Sequence, residues 1–154
     1  MACDKIIKFL DENEIQYVMI THSQAFTASQ VAASAHIKGS EMAKTVIIKI
    51  NGKMAMAVLP ANYHVDFHLL KEITGSEDVI LAHESEFRDV FPDCELGAMP
   101  PFGNLYGVDV FVAQTLTEDV DIAFNAGTHS ELIQMKYKDF ESLVKPKILK
   151  FSAL

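Results

Sequence analysis

The sequence is poor in cysteine and has no long apolar run. Cys3 and Cys94 are its 2 cysteines. Thiols so few and so far apart argue against a disulfide framework and favour a reducing compartment. No apolar stretch is long enough to span a membrane, and the first residues, MACDKIIKFLDENE, mix acids into a helical pattern where a signal peptide would be continuously apolar. These absences predict a cytoplasmic protein that makes no membrane contact.

Basic residues are also scarce, since 13 lysines and arginines face 21 acidic residues and the net charge is −8. A protein that holds a long stretch of nucleic acid usually carries a basic patch. An extensive nucleic-acid interface is therefore not expected. Contact with one end of a nucleic acid stays compatible with this charge, because net charge does not describe a single pocket.

Motifs for metal and cofactor binding are missing as well. Among the 6 histidines, His64 and His68 are four apart, but only His68 falls clearly inside a predicted helix. No HExxH, CxxC or clustered Cys/His spacing occurs, so no metal site is expected. No GxSxG elbow, Walker loop or dinucleotide fingerprint occurs, so no cofactor is expected either. A Ser/His/Asp set stays open, although no motif indicates one.

Periodicity and turn signals predict an α+β protein with one domain over residues 1–154. Thr27 and Gln30 have the spacing of a capping box, and Gly75 follows a predicted helix end. Hairpins mixed with helices fit α+β better than a regular βαβ alternation. The predicted helices are 3–13, 27–36, 66–74, 84–91 and 137–144, and the predicted strands are 15–20, 45–50, 53–60, 79–82, 107–116, 119–127 and 131–136.

Lys44 stands at the start of a strand that is otherwise apolar on its face. Asn51-Gly52 is a strong signal for a two-residue type I′ hairpin. The resulting register pairs Ile50 with Lys53, Ile48 with Ala55, Val46 with Ala57 and Lys44 with Leu59. Ala55 and Ala57 leave space on the face of Lys44. The ammonium either reaches out to solvent at the strand end or lines a polar hollow.

Two other segments are candidates for ligand contact. The loop GAMPPFG consists of Gly97, Ala98, Met99, Pro100, Pro101, Phe102 and Gly103. Its prolines stiffen the chain and its glycines permit close backbone approach, although an ordinary turn would look the same. The segment NAGTH, from Asn125 to His129, ends a predicted strand in small residues and then presents a histidine, which is more often structural than a ligand contact.

In combination, the ordered segments AKTVIIK, MAVLPA, GAMPPFG and FNAGTH resemble the YbaK/prolyl-tRNA synthetase editing-domain family. The resemblance extends from about Thr21 to about Phe140, and it is greatest to free-standing members. One departure is Ala113, where many members have an aspartate. The resemblance implies a mixed, largely antiparallel sheet curled into a partly open barrel and flanked by helices.

The resemblance also implies an activity, hydrolysis of the ester of a mischarged aminoacyl-tRNA, typically tRNA for proline that carries alanine or cysteine. Lys44 matches the signature residue, and we interpret it as an anchor for the terminal phosphate or ribose. The loop Gly97–Gly103 would cradle the aminoacyl end. Gly127 and His129 match residues that border the amino-acid pocket next to Asn125, and His22 and Thr27 match a segment near the site.

An activated ester needs no strong protein nucleophile, so a positioned water and an oxyanion stabilised by backbone amides can suffice. We interpret His129 as a pocket wall, with a general base as the alternative. The expected partners are the 3′ end of aminoacyl-tRNA and a prolyl-tRNA synthetase. Two other classes stay open: a hydrolase of the same fold that acts on another aminoacyl or nucleotide ester, and a non-catalytic module that binds a nucleotide or a synthetase.

Overall fold

The computed structural model describes residues 3–23, 25 and 27–154. The helices are α1 Asp4–Glu12, α2 Ala28–Ser34, α3 Phe67–Thr74, α4 Glu84–Phe87 and α5 Tyr137–Val144. The strands are β1 Tyr17–Thr21, β2 Ala43–Ile50, β3 Lys53–Pro60, β4 His64–Val65, β5 Val79–Leu81, β6 Asp109–Ala113, β7 Asp121–Asn125, β8 Glu131–Lys136, β9 Lys147–Leu149 and β10 Ser152–Ala153. Two 3₁₀ turns, Gly103–Leu105 and Gln114–Glu118, flank β6.

The strands form sheets of five, three and two strands, so the predicted α+β class is confirmed. Their orders are β5-β2-β3-β6-β9, β1-β8-β7 and β10-β4. The pairs β3–β6 and β6–β9 are parallel, and the other described strand pairs are antiparallel. A single bridge between Met42 and Ala123 joins the two larger sheets. The described strands close no barrel, so the curled, partly open barrel stays a prediction.

The β2–β3 hairpin has the predicted register along its whole length, from Ile50 opposite Lys53 to Lys44 opposite Leu59. Asn51 and Gly52 both have positive φ, 50° and 82°, as a type I′ turn requires. This register fixes which side chains share the face of Lys44. It also places Ala43 opposite Pro60, directly beside the lysine.

Local signals at helix ends are confirmed too. The hydroxyl of Thr27 accepts a hydrogen bond from the Gln30 amide, and the Gln30 side chain accepts one from the Thr27 amide. Asp66 caps α3, which ends at Gly75 in the left-handed conformation.

Several element lengths differ from prediction. Helix α4 ends at Phe87, well before the residue that precedes Pro92. The predicted strand 107–116 contributes only Asp109–Ala113 to the sheet, because a 3₁₀ turn begins at Gln114. The short strands β4, β9 and β10 were not predicted. With two or three residues each, they are too short to show a period, and they exist through pairing with distant strands.

The five-stranded sheet is buried on both faces. Ala43, Ile47, Met56, Val58 and Val112 face a large core shared with α1, α5 and the three-stranded sheet. Ile48, Ala55, Ala57, Leu59 and Phe111 face a second cluster, formed with α3 and Phe151. A third cluster lies between α2 and the outer face of the three-stranded sheet and includes Met42, Ala61, Ala123 and Leu132. Ala61, whose carbonyl oxygen accepts a hydrogen bond from Lys44, belongs to this third cluster.

Candidate active site

Lys44 is partly buried at the start of β2, where its ammonium reaches the chain that follows β3. Its Nζ donates a hydrogen bond to the Ala61 carbonyl oxygen at 3.4 Å. Burial lowers the pKa of Lys44. Within the described part of the chain, no carboxylate lies within ion-pair distance of this ammonium. A half-buried cation with one weak protein acceptor keeps most of its donor capacity for a ligand.

Ser29 meets Lys44 at the same carbonyl, although sequence analysis did not select it. Its hydroxyl donates to the Ala61 oxygen at 3.5 Å from the first turn of α2. The capping box at Thr27 fixes that turn. The signal that could have indicated Ser29 is its position two residues after the capping-box residue Thr27, in the first turn of a helix that the sequence predicts. The two donors thus approach one point from different elements.

Asn125 lies near the point where the two larger sheets meet. Met42 bridges Ala123 in parallel orientation, and Lys44 and Asn125 each follow two positions later. The Oδ1 atom of Asn125 is buried and has no hydrogen-bond partner among the described residues. An unpaired buried acceptor is costly in a folded protein. This oxygen is therefore suited to a donor on a ligand.

His22 supplies a second such acceptor at the end of β1. Its Nδ1 lies 2.6 Å from the Ser23 carbonyl oxygen, which can only accept, so Nδ1 carries a proton and, in the neutral ring, Nε2 is an acceptor. That Nε2 is buried and without a partner in the described structure. Ile20, Leu132 and Asn125 form one row across the three-stranded sheet, and His22 follows Ile20 by two positions.

His129 is buried, 6% exposed, and holds the start of the proline loop. Its Nε2 donates to the Leu96 carbonyl at 2.8 Å, and its backbone amide donates to the Glu95 carboxylate at 3.2 Å. A Cβ on Gly97 would lie 3.4 Å from the His129 ring. Glu95 is a second residue that sequence analysis missed. The His129 carbonyl accepts from the Ala25 amide, which ties His129 to the segment after His22.

The rest of the loop packs into the protein. Residues 98–103 are all buried, and Phe102 stacks edge-on or tilted against Phe9, Phe124 and Phe140. A Cβ on Gly103 would collide with the Val108 carbonyl oxygen. Of the residues predicted to cradle the aminoacyl end, Ala98, Met99, Pro100, Pro101, Phe102 and Gly103 thus line the interior, while Gly97 is exposed.

Backbone amides of this loop have spare donor capacity. Those of Gly97 and Met99 donate to no group among the residues that the structure describes. The Gly127 amide, by contrast, donates to the Ala98 carbonyl at 2.9 Å. Gly127 has φ +95°, and a Cβ there would lie 2.6 Å from the Cys3 Cβ. It therefore serves the packing of the chain's N-terminal segment.

Thr27 is exposed, and its hydroxyl is used as a helix cap. Ala113 is fully buried in the same cluster as Leu59, the residue opposite Lys44. Because Ala113 has no carboxylate, this chain offers the lysine no counter-ion from that position. The structure thus brings Lys44 and Ser29 to one carbonyl and ties the segment after His22 to His129. Asn125 lies two positions beyond the bridge that joins the two larger sheets.

The ends of β1, β2 and β7 thus carry a partly buried cation, Lys44, and two buried acceptors without partners among the described residues. The sequence pattern of the aminoacyl-tRNA editing domain matches residues 22–143. The chain belongs to this family, and the resemblance noted in the sequence is confirmed. The enzyme class expected from the sequence, an aminoacyl-tRNA deacylase, is confirmed with it.

Two curated relatives are similar over different shares of their length. The multifunctional Ser/Thr-tRNA deacylase ProXp-y of Escherichia coli K12 is 26% identical over 155 aligned residues, which cover 96% of this chain and 90% of the relative. The proline–tRNA ligase of Bacillus cytotoxicus is 26% identical over 65% of this chain but only 18% of the ligase.

Solved structures share the fold. A candidate trans-editing enzyme for prolyl-tRNA synthetase superposes with a TM-score of 0.83 at 14% identity and covers 99% of this chain and 97% of its own. The hypothetical protein APE2540 superposes with a TM-score of 0.85 at 18% identity and covers 97% of this chain and 99% of its own. No described helix is both long and apolar enough to cross a bilayer.

Proposed function

We propose that the chain is a trans-acting editing hydrolase that cleaves the ester of a mischarged aminoacyl-tRNA to release the amino acid. The observation that carries this proposal is the approach of Lys44 and Ser29 to one carbonyl. Two buried acceptors without partners among the described residues, on His22 and Asn125, support it. The finer expectation is tRNA for proline that carries alanine or cysteine. We also propose that residues 1–154 form one domain. Its sheet is curled into a partly open barrel, and the protein works in the cytoplasm.

Each polar group has a role that suits its chemistry. The Lys44 ammonium is a compact cation suited to the terminal phosphate or ribose of the tRNA. The acceptors on His22 and Asn125 suit the α-ammonium of the aminoacyl group, which has three donors. The amides of Gly97 and Met99 suit the oxyanion that forms when water attacks the ester carbonyl. The ribose hydroxyl next to the ester assists the water, so no protein nucleophile is required.

The partner we propose is the 3′ end of aminoacyl-tRNA, held without an extensive nucleic-acid interface. The net charge of −8 disfavours an extensive contact with the phosphate backbone. A contact with the 3′ end alone is compatible with it, because a single cation can hold one phosphate. Association with a prolyl-tRNA synthetase is a further proposal. It is supported by the partial match to a proline–tRNA ligase.

Deacylation assays test this function directly. We expect the wild-type chain to hydrolyse alanyl- or cysteinyl-tRNA for proline, and Lys44→Ala to lose this activity. Lys49→Ala is the matched control, because Lys49 lies on the same strand but pairs with Glu86. Equal hydrolysis of free aminoacyl esters would favour another ester hydrolase. Saturable binding without hydrolysis would favour the non-catalytic module.

A second candidate substrate is tRNA that carries serine or threonine. It is favoured by the similarity to ProXp-y over 96% of the chain and by the two buried acceptors, one of which can accept from a side-chain hydroxyl. A site that hydrogen-bonds a substrate hydroxyl rejects analogues without it far more strongly than a site that selects by size. Asn125→Ala should then slow seryl-tRNA more than alanyl-tRNA. An equal loss on both would favour alanine or cysteine.

A further inference from the structure

A cluster of thiols and a carboxylate lies outside the candidate active site. Cys3 precedes α1, and Asp93 and Cys94 lie in the loop after α4. The Sγ atoms of both cysteines and a carboxylate oxygen of Asp93 are all within 4.8 Å of one another. We propose that Cys3, Asp93 and Cys94 bind a thiophilic divalent metal ion, Zn²⁺ being the chemical type that fits best.

In the cluster, thiol and hydroxyl protons point at the Asp93 carboxylate, where a bound metal ion would supply the positive charge instead. The Cys3 thiol donates to Asp93 Oδ2 at 2.8 Å, and the Cys94 thiol lies 3.7 Å from Oδ1. The Tyr106 hydroxyl donates to Oδ1 at 3.0 Å. Replacing the two thiol protons with one divalent cation leaves the charge of the group unchanged. The carboxylate then binds the metal in place of the donors that surround it.

The donor set selects the class of metal. Two thiolates and one carboxylate match Zn²⁺, whereas Mg²⁺ and Ca²⁺ prefer oxygen ligands throughout. Thiolates on a tetrahedral Zn²⁺ stand about 3.8 Å apart, given bonds of about 2.3 Å. A cluster within 4.8 Å therefore needs only a small contraction. The Tyr106 hydroxyl, 3.5 Å from each sulfur, faces the fourth position and can hydrogen-bond a water there.

Backbone contacts hold the two arms of the cluster in place. The Cys3 amide donates to the Ala126 carbonyl at 2.7 Å, and the Glu95 amide, next to Cys94, donates to the Gly127 carbonyl at 2.8 Å. Gly127 has no Cβ, which would lie 2.6 Å from that of Cys3. One short segment thus fixes both thiols. Cys3 is buried, but Asp93 is exposed and leaves an entry path for the ion.

Sequence spacing could not indicate this site, because the two cysteines are separated by most of the chain. The expectation of no metal rested on that spacing alone. The proposed ion would join the chain's N-terminal segment to the loop whose Glu95 and Leu96 hold His129. We therefore expect it to stabilise the fold without entering the hydrolytic step.

Titration with Co²⁺ and Zn²⁺ tests the proposal. The full chain is stripped with a chelator, kept reduced with a phosphine, and titrated with CoCl₂. We expect one Co²⁺ per chain, a thiolate-to-cobalt charge-transfer band, and displacement by ZnCl₂. Cys94→Ser and Asp93→Asn should each weaken binding at least tenfold. Asp89→Asn, an exposed carboxylate in the same region, is the matched control and should bind as the wild type does.

Thermal melting gives a second readout. Zn²⁺ should raise the melting temperature of the wild-type chain and of Asp89→Asn, but not that of Cys94→Ser. Should Cys94→Ser not fold, Asp93→Asn replaces it, because that side chain is exposed. Absence of the charge-transfer band, or equal affinity in the wild type and Asp93→Asn, would overturn the proposal.

Discussion

Lys44 and the loop Gly97–Gly103 are both expected from the sequence to contact the 3′ end of an aminoacyl-tRNA, Lys44 at the phosphate or ribose and the loop at the aminoacyl group, but they occupy different environments. Lys44 is partly buried with one weak acceptor, which leaves most of its donor capacity unused. The loop from Ala98 to Gly103 is buried, and its Phe102 is packed among three other rings. The Lys44 side chain keeps unused donors, whereas the loop packs its side chains into the core and keeps unused donors only on its backbone.

This difference shows what a stiff loop of glycine and proline can and cannot indicate. The rigidity that would present backbone amides to a ligand can equally hold an aromatic side chain, here that of Phe102, in the hydrophobic core. Polar groups without partners indicate the first case and a buried, packed side chain indicates the second. The Gly97 and Met99 amides fall in the first group, whereas Phe102 falls in the second. Separate measurements of stability and of activity in variants of each region can therefore assign each region to one role.

Phe102→Ala should have the largest effect. Deleting a fully buried aromatic ring leaves a cavity and costs about 3–5 kcal/mol of unfolding free energy. We expect a large fall in the denaturation midpoint, measured by urea unfolding, and loss of activity only in step with loss of folded protein. Phe102→Leu, which keeps part of the volume, should lose much less. If the Phe102→Ala variant were stable but inactive, Phe102 would instead be assigned to substrate contact.

Lys44→Ala should act mainly on activity. Loss of the anchoring charge is expected to lower deacylation about a hundredfold, equivalent to about 2.7 kcal/mol. The unfolding free energy should change by about 1 kcal/mol or less, because the ammonium has one weak protein partner. Lys44→Met keeps the aliphatic stem and should be as inactive. If instead both variants unfold while Lys49→Ala does not, Lys44 is a structural lysine.

Gly97→Ala should have an intermediate effect on both properties. With φ +85°, an L-residue here is strained by about 1–2 kcal/mol, and the new Cβ would press on the His129 ring at 3.4 Å. Gly107→Ala is the matched control, because it has φ +70° and nothing within 4 Å of its Cβ. Equal stability losses with a several-fold activity loss in Gly97→Ala alone would place this end of the loop at the site. Equal activities would remove Gly97 from it.

The pH dependence of binding should show the smallest effect. Burial lowers the pKa of Lys44 below 10.5, so the charge that holds the phosphate is lost as pH rises through that lowered value. Stability should move the other way. Between the folded and unfolded pKa the unfolded chain binds more protons, so folding becomes more favourable as pH rises. Binding of an amide-linked aminoacyl-tRNA analogue, which resists alkaline hydrolysis, measures the first trend.

Lys44→Arg provides the comparison for this titration, because arginine stays charged throughout the range. The affinity of Lys44→Arg for the analogue should stay constant over the pH range in which the affinity of the wild type declines. A decline of the same size in both proteins would assign the titration to another group.

What the sequence by itself determined is local. The Asn51-Gly52 turn and the register of β2 and β3 follow from backbone conformation and strand pairing between neighbours, and both are confirmed. The same holds for the capping box at Thr27 and for the left-handed end of α3 at Gly75. Each depends on residues a few positions apart, whose interactions do not need the rest of the fold. Two of the motifs that carry the family resemblance, AKTVIIK and MAVLPA, lie largely on this hairpin.

Only the tertiary structure decided which residues meet. The burial of Phe102, the parallel pairing of β6 with β9, and the approach of Ser29 to the carbonyl beside Lys44 all join distant segments. Cys3 and Cys94 meet for the same reason. No periodicity encodes such contacts, because they arise when buried faces satisfy each other and the polar groups left at their edges come together.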